Sequence, residues 1–199
     1  MTSEIVKIVK NVISLEDSAI LIEYIDKNLH SFSSNPKKLW FKKFFGMDDV
    51  YKQGRCEPVI SGLDDIKDLS IKVAEAVKNA VVKQFVETEP IFLNSLWLAK
   101  HLPGDNVPVH VDNEEGENEQ FAYSTILYLN TVEDGGVLNF PKLNVSFKPK
   151  ACELIAFPSQ GKDMLHEVIS IGEDRYTMPM WFTKDKDLEL KHKDQEDKI

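Results

Sequence analysis

Arginine is almost missing from this 199-residue chain: of its 24 basic residues only two, Arg55 and Arg175, carry a guanidinium. Positive charge is scarce overall, since 33 acidic residues outnumber the basic ones and leave a net charge of −9. A chain of this balance has no basic face for a phosphate backbone, so a nucleic-acid partner is not expected. Cysteine is equally sparse. Cys56 and Cys152 stand far apart with no CxxC spacing, which excludes a disulfide framework and fits a reducing compartment. No apolar run approaches the roughly 18–20 residues that would span a bilayer. Met1 to Ser14 mixes Glu4, Lys7 and Lys10 with apolar residues and has no signal-peptide core. The expectation is a soluble, cytoplasmic protein without a membrane partner. What remains is ordinary: 42% hydrophobic and 29% charged residues, in a chain long enough for one domain with a substantial core.

Along the chain, residues 4–13 are rich in β-branched side chains and predict a first strand. Ser14 is a candidate N-cap, with Asp17 in the first turn, for a helix over 15–29 carried by Leu15, Ala19, Ile22, Ile25 and Leu29. Serines, Asn35 and Pro36 break it. Residues 41–58 have weak periodicity and read as a strand with a long loop, either core-packing or a mobile substrate lid. A second helix is predicted over 64–86 from the stripe Ile66, Leu69, Val73, Val77, Val81 and Phe85. From Pro90 the period changes to about eight short strands, punctuated at Pro103-Gly104, Asn113 to Asn118 and Asp134-Gly135-Gly136. Helices followed by many short strands predict an α+β, mainly β domain whose body is an antiparallel double-sheet roll. Lys184 to Ile199 holds eleven charged residues in sixteen and reads as a solvated tail.

The chemistry concentrates at Val109-His110-Val111-Asp112-Asn113. In an extended strand, residues i and i+2 share a face, so His110 and Asp112 would point together. His166, which follows the strand-like run Leu154-Ile155-Ala156-Phe157, is the candidate third ligand. Two histidines and one carboxylate on a single face are the facial triad of non-haem Fe(II) oxygenases, which leaves open positions on the metal. Arg175 follows nine residues after His166, in Asp174-Arg175-Tyr176-Thr177.

Together with Tyr128-Leu129-Asn130, Asp134-Gly135-Gly136, His166-Glu167-Val168 and Trp181, these residues, from about Leu93 to Phe182, resemble the Fe(II)/2-oxoglutarate-dependent dioxygenases, and within them the prolyl 4-hydroxylase branch. The resemblance implies a double-stranded β-helix (jelly-roll) core over about 90–183, helical support over 14–86, and one oxygenase domain over 1–183 with a flexible tail at 184–199. It implies that His110, Asp112 and His166 hold Fe(II). Arg175 would pair with the distal carboxylate of the cosubstrate 2-oxoglutarate, a task suited to its planar fork. Tyr128 would add its hydroxyl to the same carboxylate, and Thr177 a weaker hydrogen bond. Many relatives have a tyrosine just before the Pro-Gly turn; this chain has His101, in His101-Leu102-Pro103-Gly104, as a candidate cosubstrate contact.

The activity so implied is hydroxylation of a peptidyl proline with O2, turning 2-oxoglutarate into succinate and CO2, with ascorbate as an accessory reductant. A peptide or protein containing proline would be the partner. Hydroxylation of a free amino acid or other small molecule is the alternative, as is a non-catalytic jelly-roll binding module. A related nucleic-acid demethylase is disfavoured because Trp181 stands where that branch carries a second arginine. Trp181 itself reads as core or cavity wall. The acidic stretch Asn113 to Glu119 is either a solvated turn or, with 41–58, the rim of a mouth suited to a basic peptide.

Overall fold

The computed structural model describes residues 5–28, 55–58, 66–113 and 120–190. The lid expected within 41–58, apart from its last four residues, lies outside them. So does the acidic stretch after Asn113.

The first strand is shorter than the β-branched run suggests: β1 covers only Lys7–Val9, because Asn11 turns the backbone left-handed (φ 55°). Helix α1 follows over Leu15–Lys27, and Ser14 Oγ accepts from the amide of Asp17 at 3.0 Å. The Asp17 carboxylate takes Lys72 of α2 at 2.9 Å and also reaches back to Ser14, which together hold it below the usual carboxylate range. Strand β2 is Arg55–Pro58 and α2 is Lys67–Phe85. The eight remaining strands are β3 (Phe92–His101), β4 (Val107–His110), β5 (Tyr123–Tyr128), β6 (Gly135–Phe140), β7 (Val145–Phe147), β8 (Leu154–Pro158), β9 (His166–Ile171) and β10 (Arg175–Thr183).

They form two sheets with antiparallel pairing throughout the described residues: a six-stranded one ordered β1-β8-β5-β10-β3-β2 and a four-stranded one ordered β4-β9-β6-β7. This is the mainly β jelly roll that the sequence predicts. The interior strands of the larger sheet, β8 and β10 above all, are buried along nearly their whole length. On β10 the alternation is explicit. Tyr176, Met178, Met180 and Phe182 join Leu21 and Ile25 of α1 and Val73, Val77 and Val81 of α2 in one core. Their strand neighbours Arg175, Thr177, Pro179 and Trp181 must therefore face the opposite way, into the space between the sheets. A second core fills that space with Tyr128, Ile155 and Phe157 from the larger sheet and Leu138, Phe140, Val168 and Ile171 from the smaller.

The charged C-terminal stretch begins docked, not trailing. Lys186–Leu188 form a single 3-10 turn, Asn94 donates to the Leu188 carbonyl, and the Leu190 amide reaches Leu93 O at 2.7 Å. Among the described residues no helix is long and apolar enough to cross a membrane.

Candidate active site

Strand β4 ends at His110, so the alternation expected through Asp112 stops two residues early: past Val111, Asp112 and Asn113 form a bend. The two side chains still meet, because the bend folds Asp112 back under its neighbour. His166 opens β9 and lies directly across from His110 in the strand register. Asp112 Oδ1 sits 3.4 Å from His110 Nε2 and 3.8 Å from His166 Nε2. One ligand atom from each of these residues lies within 4.8 Å of the others. His166 is 4% exposed, packed between the rings of Phe140 and Phe157. Asn113 secures the far side of the bend by donating to the Phe121 carbonyl at 2.8 Å.

Both imidazoles are held in the same way. His110 Nδ1 is 2.7 Å from the carbonyl of Pro108, and His166 Nδ1 is 3.0 Å from that of Met164, each two residues earlier in the chain. A carbonyl only accepts, so Nδ1 carries the proton in both rings and each Nε2 presents a lone pair. Two such lone pairs then converge on a carboxylate oxygen. Burial by itself would push the Asp112 carboxyl up, but the facing His166 and His110 outweigh it and hold it below the usual carboxylate range. Burial, reinforced by His110, drives His166 down to about 4 against the opposing pull of Asp112. At neutral pH His166 is therefore a neutral imidazole beside an ionised Asp112, both deprotonated as metal binding requires. Three such ligand atoms gathered on one side of a buried space are a natural seat for a cation. The carbonyls behind each Nδ1 are the outer support that orients histidine ligands.

The second half of the site belongs to the start of β10. Arg175 is 2% exposed and paired with His101 on β3; Thr177 is paired with Tyr128 on β5 and with Ala99 on β3. Arg175 Nη1 lies 3.3 Å from His101 Nδ1, and its guanidinium carbon lies 5.2 Å from the centre of the Tyr128 ring. The backbone on either side of Arg175 is clamped. Asn130 donates to the Asp174 carbonyl and accepts from the Tyr176 amide, both at 2.8 Å. On the opposite face of the same strands, Lys100 bridges Asp26 (3.0 Å) and Asp174 (2.8 Å). Burial would lower the Lys100 ammonium, but Asp174, Tyr176 and Asp26 reverse the shift and raise it.

Two buried donors in this pocket, Arg175 Nε and the Tyr128 hydroxyl, hydrogen-bond to no group among the described residues. Burial raises the Tyr128 phenol, the Arg175 charge only partly opposing it, so the hydroxyl stays protonated and able to donate. Unsatisfied buried donors beside a fixed cation are an anion site in waiting. The candidate site residues thus fall at two places: His110, Asp112 and His166 at the ligand cluster, and Arg175 with His101 and Tyr128 at the guanidinium, Thr177 lying two residues along the same strand face.

Two contributors have roles that sequence reading did not assign. Asn130 was visible only as part of Tyr-x-Asn. Gly136, at φ +63°, lets the second sheet approach so closely that a Cβ there would lie 3.3 Å from Arg175 Cδ. The signal for it was the Asp-Gly-Gly turn, read as punctuation. Trp181 is buried, as expected, against Trp97 and Phe121.

A double-stranded β-helix with a 2-His-1-carboxylate cluster facing a buried guanidinium is the architecture of an Fe(II)-dependent oxygenase. Residues 96–183, a little under half of the chain, match the family model described as the 2OG-Fe(II) oxygenase superfamily, a class of dioxygenases whose chemistry uses Fe(II), 2-oxoglutarate and O2. No curated relative matches the sequence. Among solved structures the fold is similar to a viral collagen prolyl hydroxylase from Paramecium Bursaria Chlorella virus-1 in its 2OG complex (16% identity, 91% of this chain and 96% of that one, TM-score 0.65). It is also similar to a Pseudomonas putida prolyl-4-hydroxylase (19%, 90% and 92%, 0.66). A third is a Trichoplax adhaerens prolyl hydroxylase in complex with a hypoxia inducible factor peptide fragment (17%, 93% and 86%, 0.67).

Proposed function

We propose that this protein hydroxylates a prolyl residue in a peptide or protein, with His110, Asp112 and His166 holding Fe(II) and Arg175 receiving 2-oxoglutarate. The observation that carries the site assignment is the convergence of two Nε2 lone pairs and a carboxylate oxygen on one point. The prolyl substrate is supported by the folds it resembles, two of which are collagen and hypoxia-factor prolyl hydroxylases by name.

With Fe(II) and 2-oxoglutarate bound, O2 would be the oxidant: one of its oxygen atoms would enter the substrate as C–H becomes C–OH, and the other would enter succinate as 2-oxoglutarate is oxidised with loss of CO2. The chain supplies placement. His110, Asp112 and His166 would hold the ion, and a three-residue ligand set would leave it room for further ligands. Asp112 brings one negative charge, which offsets part of the ion's charge in a buried site. Arg175 Nε and the Tyr128 hydroxyl donate to the distal carboxylate, with Thr177 and His101 completing its surround. Phe140 and Phe157 shield His166 from water, which strengthens the electrostatic contacts.

A coupled succinate assay across proline-containing peptides, free proline and other amino acids tests this reading. The expected result is succinate formation with a peptide and a mass gain of one oxygen atom on its proline. Turnover of a free amino acid alone would replace the peptide substrate. No succinate from any substrate, with iron bound, would leave only a binding module.

A further inference from the structure

Three histidines border the site, and they do not share a tautomer. His110 and His166 each direct Nδ1 at a carbonyl. His101 directs Nδ1 at Arg175 Nη1, 3.3 Å away. A guanidinium is protonated at all accessible pH and has only donors. The contact is attractive only if His101 Nδ1 carries the lone pair, so this ring is neutral with its proton on Nε2. An imidazolium there would press two cations together between residues that are 5% and 2% exposed. The pair is also rigidly placed: His101 and Arg175 are directly opposed on adjacent strands, and Gly136 backs the Arg175 stem from the other sheet.

We propose that His101 is a positioning residue for cosubstrate selection: as a neutral acceptor it occupies Arg175 Nη1 and so aims Nε, beside the Tyr128 hydroxyl, at the distal carboxylate of a 2-oxo diacid. This rests on the oxygenase reading above and adds a specificity to it. With Nη1 engaged, the buried donors left without a partner are Nε and the phenol, and both suit a ligand with a second carboxylate. A 2-oxo monoacid would meet the same pocket with an apolar end and gain nothing from how Arg175 is aimed. His101 should therefore influence affinity for 2-oxoglutarate and not for an acid of equal length that lacks the distal carboxylate.

The test is calorimetric titration of the full chain, loaded with Mn(II) to prevent turnover, with 2-oxoglutarate and separately with 2-oxopentanoate. Three forms are compared: the natural chain, His101→Phe, and His101→Asn, whose Oδ1 stands close to the position of Nδ1. His101→Phe should weaken 2-oxoglutarate about tenfold, the scale of one hydrogen bond to a charged group, and leave 2-oxopentanoate unchanged. His101→Asn should recover most of the loss. In turnover the Phe variant's defect should fall chiefly on KM for 2-oxoglutarate. Unchanged 2-oxoglutarate affinity in His101→Phe overturns the proposal, as does an equal loss for both acids, which would mean general distortion. A natural chain that binds neither acid would overturn the oxygenase reading, and this proposal with it.

Discussion

The two ends of the site are built by different means. The ligand cluster rests on short-range devices: a four-residue strand, a bend, and two histidines each tied to a carbonyl two residues away. The guanidinium rests on long-range ones. It sits on a nine-residue strand in the interior of the six-stranded sheet, faced by His101 and Tyr128 from both neighbouring strands, by Gly136 from the other sheet, and braced beneath by Lys100 and Asp26. Local devices orient a few atoms without carrying the fold. Register devices orient one side chain and stabilise the sheet together. The ligand end should therefore tolerate substitution structurally while losing all chemistry, and the guanidinium end should lose affinity and stability together.

Asp112→Ala is the sharpest attempt to break this contrast. Removing the carboxylate abolishes metal affinity and turnover, at a residue outside any strand whose stabilising contacts come chiefly from the cluster. Titration with Mn(II) should show no binding, and thermal denaturation of metal-free protein at neutral pH should show only a small fall in melting temperature, from the lost contacts with His166 and His110. A large fall in stability would mean that the cluster carries the fold after all. Arg175→Leu should behave in the opposite sense, weakening 2-oxoglutarate on the order of a hundredfold from the loss of charge-assisted hydrogen bonds. It also strands His101 and the Tyr128 hydroxyl in a buried pocket, so stability should fall by about 1–3 kcal/mol. Calorimetry and denaturant titration read the two quantities separately, and unchanged cosubstrate affinity would remove Arg175 from the site.

Gly136→Ala asks whether the second sheet takes part in aiming Arg175. Its backbone is left-handed (φ +63°), and the added methyl would lie 3.3 Å from both Arg175 Cδ and Val132 Cγ1. Conformational strain of about 1 kcal/mol is expected at such a position, with a loss in 2-oxoglutarate affinity of a few-fold as the guanidinium is displaced. Metal affinity should not change. Equal loss at both ends would show that Gly136 acts on the fold and not on Arg175.

The same division decides how much was legible in the sequence. The helices announced themselves by apolar spacing, and Ser14 by its place before the first stripe, because those signals are local. His110, Asp112 and His166 were found by residue type, although Asp112 reaches its place through a bend and not through the strand alternation that first suggested it. The number of strands was readable. Their partition into two sheets was not, since β8 and β9 are neighbours in sequence but belong to different sheets. The brace beneath Arg175 was invisible for the same reason. Lys100, Asp26 and Asp174 are ordinary charges in ordinary positions until the register brings Lys100 opposite Tyr176. Gly136 read as a turn because its partner, the Arg175 stem, arrives from a strand nearly forty residues further along the chain.

Asp26→Asn isolates that brace and should give the smallest effect. Asp26, on α1, accepts from the Tyr176 hydroxyl at 2.9 Å and from Lys100 at 3.0 Å. Tyr176 and Lys100 form the rung beside Arg175 and His101, turned to the opposite face of the sheet. Asparagine keeps an acceptor of the same shape and removes the charge. The Asp26 side chain is 44% exposed and Lys100 keeps its second partner, Asp174, so solvent screening limits the loss to about 1 kcal/mol or less. For a chain of this length that corresponds to a melting temperature lower by roughly 2–4 °C at most. The informative quantity is where the functional change falls. If the brace supports the guanidinium through its own two strands, 2-oxoglutarate affinity drops by about twofold, a fraction of that free energy, while Mn(II) affinity stays at its natural value. A variant that lost metal affinity instead would show the two ends mechanically joined through β10, and the distinction between local and long-range construction would not hold.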